Sequence, residues 1–347
     1  MVFSIAITIL ALGLMVCLHE LGHMLVAKAF GVLVHEYSIG MGPKLFSIKP
    51  GETAYSLRLL PIGGYVRMEG EEYEEGAEQT VDKSRSFRYL KPWKRFIILV
   101  AGAALNVILG LVIFTVINMN SSVHPPIITA PTEGFENVTI FEAGDEILRI
   151  DGTRIHSFQD VTMKLAEPKV QAKDSVEVVV RRNGEKLTLD APIYGYEGGK
   201  KLMLIFGNII YKPGPVTALR YAVYDTGFVV KAVIGAVGDL ITGRQSVDSL
   251  SGPVEIVAVV DDVASTNSPY TWLTLLSLFA LITVNLGVFN LLPIPALDGG
   301  QILFLIIEKI VGREINPQVV GMINAIFFSL LMLLAVYVTV GDIRGLL

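Results

Sequence analysis

The sequence predicts a polytopic α-helical membrane protein. Four transmembrane helices carry a β-hairpin beside them, and one extracytoplasmic α/β domain is inserted between the second and third. Three observations predict this. Of 347 residues, 52% are hydrophobic and only 18% are charged, against about 25% charge in an ordinary soluble domain, and the mean hydropathy is +0.56. Four runs reach the roughly 20 apolar residues that a bilayer crossing needs. Between the second and third runs the composition changes to charged residues and alternating strands.

The first run starts at Met1 and continues through Cys17-Leu18-His19-Glu20-Leu21-Gly22-His23 to about Ala29. It lacks a basic leader and a small-residue cleavage site, so it reads as a retained span. Residues 31–95 read as strands: 44–49, a Pro50-Gly51 turn, then 53–59, with Gly40, Gly42, Gly63 and Gly64 marking tight backbone. The open edge of such a hairpin can take up an extended peptide by strand addition; a purely structural hairpin is the competing reading. Phe96–Met119 is the second span. In the soluble domain, 143–152 leads to Ile155, a helix is expected near Phe158–Leu165, and strands at 175–182 and 185–189 flank an Asn183-Gly184 turn. Residues 215–245 are apolar but broken by Arg220, Asp225, Lys231 and Asp239, which predicts an amphipathic helix. Ser251-Gly252-Pro253 marks a turn or helix entry. The third span centres on Leu273–Leu292 and the fourth runs from about Val319 to Val340.

Two histidines and a glutamate are costly inside an apolar span. On a helix, positions four apart share one face, so His19 and His23 can hold one ion between them. Glu20 sits about 100° round the helix and is free to act as a general base; this is the geometry behind H-E-x-x-H. The competing reading is a pair of helix-face histidines near a membrane interface. A catalytic zinc usually takes a third protein ligand. Asp298 is the candidate, in a stretch where Pro293, Pro295, Gly299 and Gly300 break the helix at membrane depth. Its rival role is as N-cap of a helix over 302–310, with Gln301 completing the cap. Counting crossings decides whether the motifs can meet. Spans one and three run the same way, so both motifs lie toward one side. Lys91, Lys94 and Arg95 abut the second span on that side, and Lys309 and Arg313 lie between spans three and four, which places it in the cytoplasm.

Other classes are excluded. No basic stripe suggests a nucleic-acid partner. The net charge of −5 is explained by Glu69, Glu71, Glu72, Glu74, Glu75 and Glu78. Cys17 is the only cysteine, which rules out an intrachain disulfide and a thiolate metal site. His35, His124 and His156 read as ordinary surface or packing residues. No inverted repeat of the transporter kind is visible.

Taken together, His19-Glu20-Leu21-Gly22-His23, Gly40-Met41-Gly42, 61–66, the patch from Ala101-Gly102 to Asn106, and Asn290 to Gly300 resemble the site-2 protease family of intramembrane zinc metalloproteases. The similarity is to its bacterial regulator-of-sigma-E protease branch. The resemblance implies Zn2+ held by His19, His23 and Asp298, with Glu20 as general base and acid and Asn290 in contact with substrate. It implies a membrane-reentrant β-element at 44–68. The soluble domain resembles a single PDZ domain through Ala143-Gly144-Asp145 to Ile155, with a peptide as its ligand. The expected divisions are 1–120, 121–213 (PDZ-like), 214–262 (amphipathic gate) and 263–347. The implied function is regulated intramembrane proteolysis of single-span membrane proteins, anti-sigma factors or remnant signal peptides. It would take place in the bacterial cytoplasmic membrane and in contact with its lipid, with the PDZ-like domain outside. The rival is a non-catalytic scaffold that binds protein tails through that domain.

Overall fold

A computed structural model describes residues 2–71, 82–121, 125–132, 134–135, 137–196, 199–206, 213–246, 252–266 and 268–346. His124, Ser251 and the acidic residues Glu72, Glu74, Glu75 and Glu78 lie outside the described residues. In chain order come α1 (Val2–Ala29), β1 (Val34–Ile48), β2 (Ala54–Met68), α2 (Pro92–Asn120), β3 (Ile128–Pro131), α3 (Asn137–Ile140), β4 (Glu146–Ile150), β5 (Thr153–Arg154), α4 (Phe158–Ala166) and α5 (Pro168–Gln171). There follow β6 (Ser175–Arg182), β7 (Glu185–Pro192), β8 (Tyr194–Tyr196), β9 (Gly199–Lys201), β10 (Leu204–Phe206), α6 (Pro215–Ile241), α7 (Pro253–Ser265), α8 (Thr271–Asn290), α9 (Asp298–Val311) and α10 (Pro317–Leu346). Two compact units result: residues 1–113 with 229–347, and residues 114–228.

In the first unit, α1, α2, α8 and α10 are each long and apolar enough to cross a membrane. Helix α1 is built inside out by aqueous standards. Its buried positions include Ser4, Thr8, His19, Gly22 and His23, while Val2, Phe3, Leu10, Leu14 and Leu25 are exposed. Such an apolar outer surface suits lipid rather than water. Small residues let the helices touch, as expected where packing rather than hydrophobicity drives association. A Cβ on Gly22 would lie 2.4 Å from the Ala101 carbonyl oxygen of α2, and one on Gly287 would lie 2.8 Å from that of Ala103. At the far end of α10, the Asp342 carboxylate accepts from the N–H groups of Gly252 (3.1 Å), Val254 (3.2 Å) and Glu255 (3.1 Å), so it caps the N-terminus of α7.

The hairpin is longer than the short strands expected at 44–49 and 53–59. Its strands continue through the glycines that were expected to mark tight backbone, and bend there. Gly40 sits at φ +82° and Gly63 at φ +77°, and a Cβ on Gly40 would lie 2.4 Å from the Leu60 carbonyl oxygen. Only glycine makes such a bend without strain. Each strand therefore pairs twice. Residues 34–39 pair with 64–68 (Val34↔Met68, Ile39↔Gly64) and also with 54–57 (Glu36↔Ala54, Ile39↔Leu57), while 44–48 pair with 55–58 across the turn (Lys44↔Arg58, Ile48↔Tyr55). Two strands thus supply four rows. Buried Glu36 ties the rows together, accepting from Arg58 Nη2 (3.1 Å) and Ser56 and pairing with Lys44 (3.2 Å). Outside, Leu45, Phe46, Ile48, Leu59 and Leu60 are exposed.

In the second unit, β5-β4-β6-β7 form one sheet. Asn183 and Gly184 take φ 51° and 89°, the paired positive values a tight two-residue hairpin needs. Helix α4 begins with a capping box between Ser157 and Asp160. The core is Ile128, Phe141, Ile147, Ile150, Val161, Val170, Val176, Val178 and Val180. Asp145 is fully buried. It accepts two bonds from Arg182, Nε to Oδ1 at 2.8 Å and Nη2 to Oδ2 at 2.7 Å. Burial pushes its carboxyl up, but the Arg182 guanidinium and the Glu142 N–H outweigh that and hold it below the ordinary value. His156 stacks on Tyr224 at 4.1 Å between centroids, and His35 of the first unit pairs with Glu69 at 2.6 Å.

Candidate metal centre

The uninterrupted helix α1 sets His19 and His23 one turn apart, both buried. The opposing group comes from the break after α8. The chain leaves α8 through 291–297, with Ala296 at φ 74° and its N–H bonded to Asn324 Oδ1 at 3.0 Å. This loop folds tightly onto the start of α9. A Cβ on Gly299 would lie 2.1 Å from the Leu292 carbonyl oxygen, and one on Gly300 2.4 Å from that of Ile294. The glycines are what let Asp298 sit this close to the loop that delivers it. The cap alternative for Asp298 is overturned: Leu297 is the N-cap of α9, Asp298 is the first helical residue, and no side-chain cap bond forms.

Asp298 Oδ2 lies 3.0 Å from His19 Nε2 and 3.3 Å from His23 Nε2, and the two Nε2 atoms are 3.2 Å apart. One donor atom from each residue fits within 4.8 Å of the others. Asp298 Oδ2 is buried and accepts no hydrogen bond. A buried carboxylate oxygen without a donor is expensive, and a cation between these three atoms removes the cost. The His23 tautomer fits that reading. Its Nδ1 lies 2.8 Å from the Ile98 carbonyl oxygen, which can only accept, so Nδ1 carries the proton and the Nε2 lone pair faces inward. A Cβ on Gly102 would lie 2.2 Å from His23 Nε2.

Glu20 is not one of these three donors. One of its oxygens, Oε2, accepts the Val66 N–H of β2 at 3.2 Å. The same hairpin grips α1 a turn earlier, where the Tyr37 hydroxyl donates to the Cys17 carbonyl at 2.7 Å. Asn290 is the last residue of α8 and half-buried; the described hydrogen bonds do not link it to His19, Glu20, His23 or Asp298. Sequence reasoning assigned no role to Val66, Ile98, Gly102 or Asn106. A polar Asn106 four residues after Gly102, inside an apolar span, was the available signal.

The model of peptidase family M50 matches residues 7–334. The chain belongs to peptidase family M50, the site-2 proteases. A Clostridium acetobutylicum protein, provisionally named a zinc metalloprotease, is 36% identical over 344 residues, covering 98% of this chain and 97% of its own. The zinc metalloprotease RasP of Bacillus licheniformis is 31% identical, with 97% and 98% covered. The regulator of sigma-W protease RasP of Bacillus subtilis is 31% identical, with 97% of each chain covered. This M50 protein is a zinc metalloprotease with Zn2+ as cofactor. Its four apolar helices make it a polytopic membrane protein, and its family membership makes it an intramembrane protease.

Proposed function

We propose that His19, His23 and Asp298 hold the zinc and that Glu20 is the general base and acid for cleavage of peptide bonds within transmembrane segments of single-span proteins. The observation that carries this is the unpartnered Asp298 Oδ2 facing two histidine Nε2 atoms. Two imidazoles and one carboxylate are a common catalytic zinc set. When bound, zinc supplies Lewis acidity toward water and the scissile carbonyl. Glu20 takes a proton from the attacking water and returns it to the leaving nitrogen. The Val66 N–H fixes one Glu20 oxygen and leaves the other for the proton. A substrate helix hides its carbonyls in its own ladder, so it must unwind; a strand edge of the hairpin and Asn290 hold the opened backbone.

Single-span anti-sigma factors and remnant signal peptides are the substrate classes. The sigma-W regulator among the relatives supports the first. The basic residues flanking the second span and between the third and fourth favour a bacterial cytoplasmic membrane with the zinc side inward. On that topology 121–213 is an extracytoplasmic PDZ-like domain with a peptide ligand, and 214–262 is the gate.

The test compares wild type, Glu20→Gln and Asp298→Asn for zinc content and for cleavage of a single-span substrate in membranes. Glu20→Gln keeps zinc and loses cleavage by at least about 100-fold; retained cleavage overturns the role of Glu20. Asp298→Asn loses zinc, and unchanged zinc content removes Asp298 from the ligand set. Full zinc in wild type with no proteolysis on any single-span substrate favours the scaffold.

A further inference from the structure

We infer that Asn106 is a positioning residue for the zinc site: its side-chain carbonyl accepts the Nδ1–H of His19 and so keeps the His19 Nε2 lone pair free for metal. This rests on the ligand assignment proposed above. Asn106 is fully buried, at 0% exposure, in the middle of α2. Its amide nitrogen lies 3.5 Å from His19 Nδ1, while its carbonyl oxygen Oδ1 is buried without a partner. In that orientation the amide donates, which requires a bare Nδ1 and puts the His19 proton on Nε2, the atom 3.0 Å from Asp298. A metal cannot bind there. Turning the amide through 180° exchanges its nitrogen and oxygen at no change in volume. The carbonyl then faces Nδ1, the orphaned oxygen gains a donor, and the proton moves to the side of the ring away from Asp298.

The partner histidine is wired the same way. His23 Nδ1 meets the Ile98 carbonyl at 2.8 Å, two turns earlier on the same helix. One helix thus supplies an acceptor to each of the two histidines, one from its backbone and one from Asn106, the only polar side chain in 96–114. Helix α8 holds Asn106 in place. The Thr283 hydroxyl donates to the Asn106 backbone carbonyl at 3.4 Å, and a Cβ on Gly287 would lie 3.3 Å from the Asn106 Cβ.

The test is zinc affinity of the purified full-length protein, read by competition with a chelator of known affinity. Variants are Asn106→Leu, which keeps the shape and removes the acceptor, and Asn106→Asp, which can only accept. Loss of such an outer partner typically weakens metal binding about 10–100-fold. Asn106→Leu is expected in that range and Asn106→Asp at or tighter than wild type. An Asn106→Leu protein that elutes as wild type and binds zinc equally well overturns the inference. So does Asn106→Asp weakened tenfold or more, and that variant decides the matter if Asn106→Leu does not fold. His19→Ala, measured alongside, separates the two readings: if it keeps full zinc affinity, the ligand assignment has failed instead.

Discussion

Gly102→Ala adds one methyl group at the most sensitive point of the proposed zinc site. The new Cβ would stand 2.2 Å from His23 Nε2 and 2.8 Å from both neighbouring ring carbons. Ordinary contact needs about 3.5–4.0 Å, so the ring or the helix must shift by more than about 1 Å. The ring is pinned by its bond to the Ile98 carbonyl, on the same helix as the methyl. Helix separation would undo the contact at Gly22, whose Cα meets Ala101 with no room for a side chain. A misplacement of about 1 Å costs on the order of 100-fold in rate, and overpacking adds about 1–3 kcal/mol of instability. Gly110→Ala is the matched control. Its Cβ also falls 2.2 Å from a neighbour, but that neighbour is a methyl of Val284. The same crowding there should cost stability and leave zinc affinity within about threefold of wild type. Chelator competition and cleavage of a single-span substrate read both variants. Gly102→Ala with wild-type zinc affinity and wild-type cleavage refutes the reasoning.

Three further outcomes are expected. Arg182→Leu strands the buried Asp145 carboxylate and should cost about 3 kcal/mol, the lower end for breaking a buried pair, because Arg182 is partly exposed; hydrogen exchange across 142–150 checks it. The pH dependence has a fixed sign. The Asp145 carboxyl lies lower in the fold than the roughly 3.9 of an unfolded chain, so its contribution is complete above about pH 4 and disappears as pH falls toward the folded value. Arg182→Leu should abolish that acid loss, and an unchanged acid profile would contradict the assignment. Asp342→Ala removes the acceptor for three N–H groups at the start of α7, at a cost of about 0.5–2 kcal/mol; faster amide exchange at 254–258 is the readout, and unchanged exchange would show that α7 is held elsewhere.

The helices and the His19–His23–Asp298 meeting were legible because each needs little information. Apolar runs report spans by length alone, and two parallel spans put their ends on one side. The Asn183-Gly184 turn was legible because residue type dictates backbone geometry there. The doubled hairpin was not. Glycines at 40, 42, 63 and 64 announce tight backbone, but a bend and a stop look alike in sequence. Val66 was invisible for a deeper reason: the group that meets Glu20 is a main-chain N–H, which every residue but proline has. The short strands β8, β9 and β10, three residues each, are too brief to show a period.

The separation of the ligands along the chain has a consequence for biosynthesis. Translation adds about 5–20 residues per second, so His19 and His23 are made tens of seconds before Asp298. Throughout that interval the nascent chain carries the proposed base, Glu20, and two imidazoles without Asp298, the carboxylate proposed to close the set. On that assignment, a chain truncated before α9 lacks the third zinc ligand and is expected to be inert. On the proposed assignment, hydrolysis waits until the chain has been made through Asp298, a safeguard built into residue order rather than into any inhibitor.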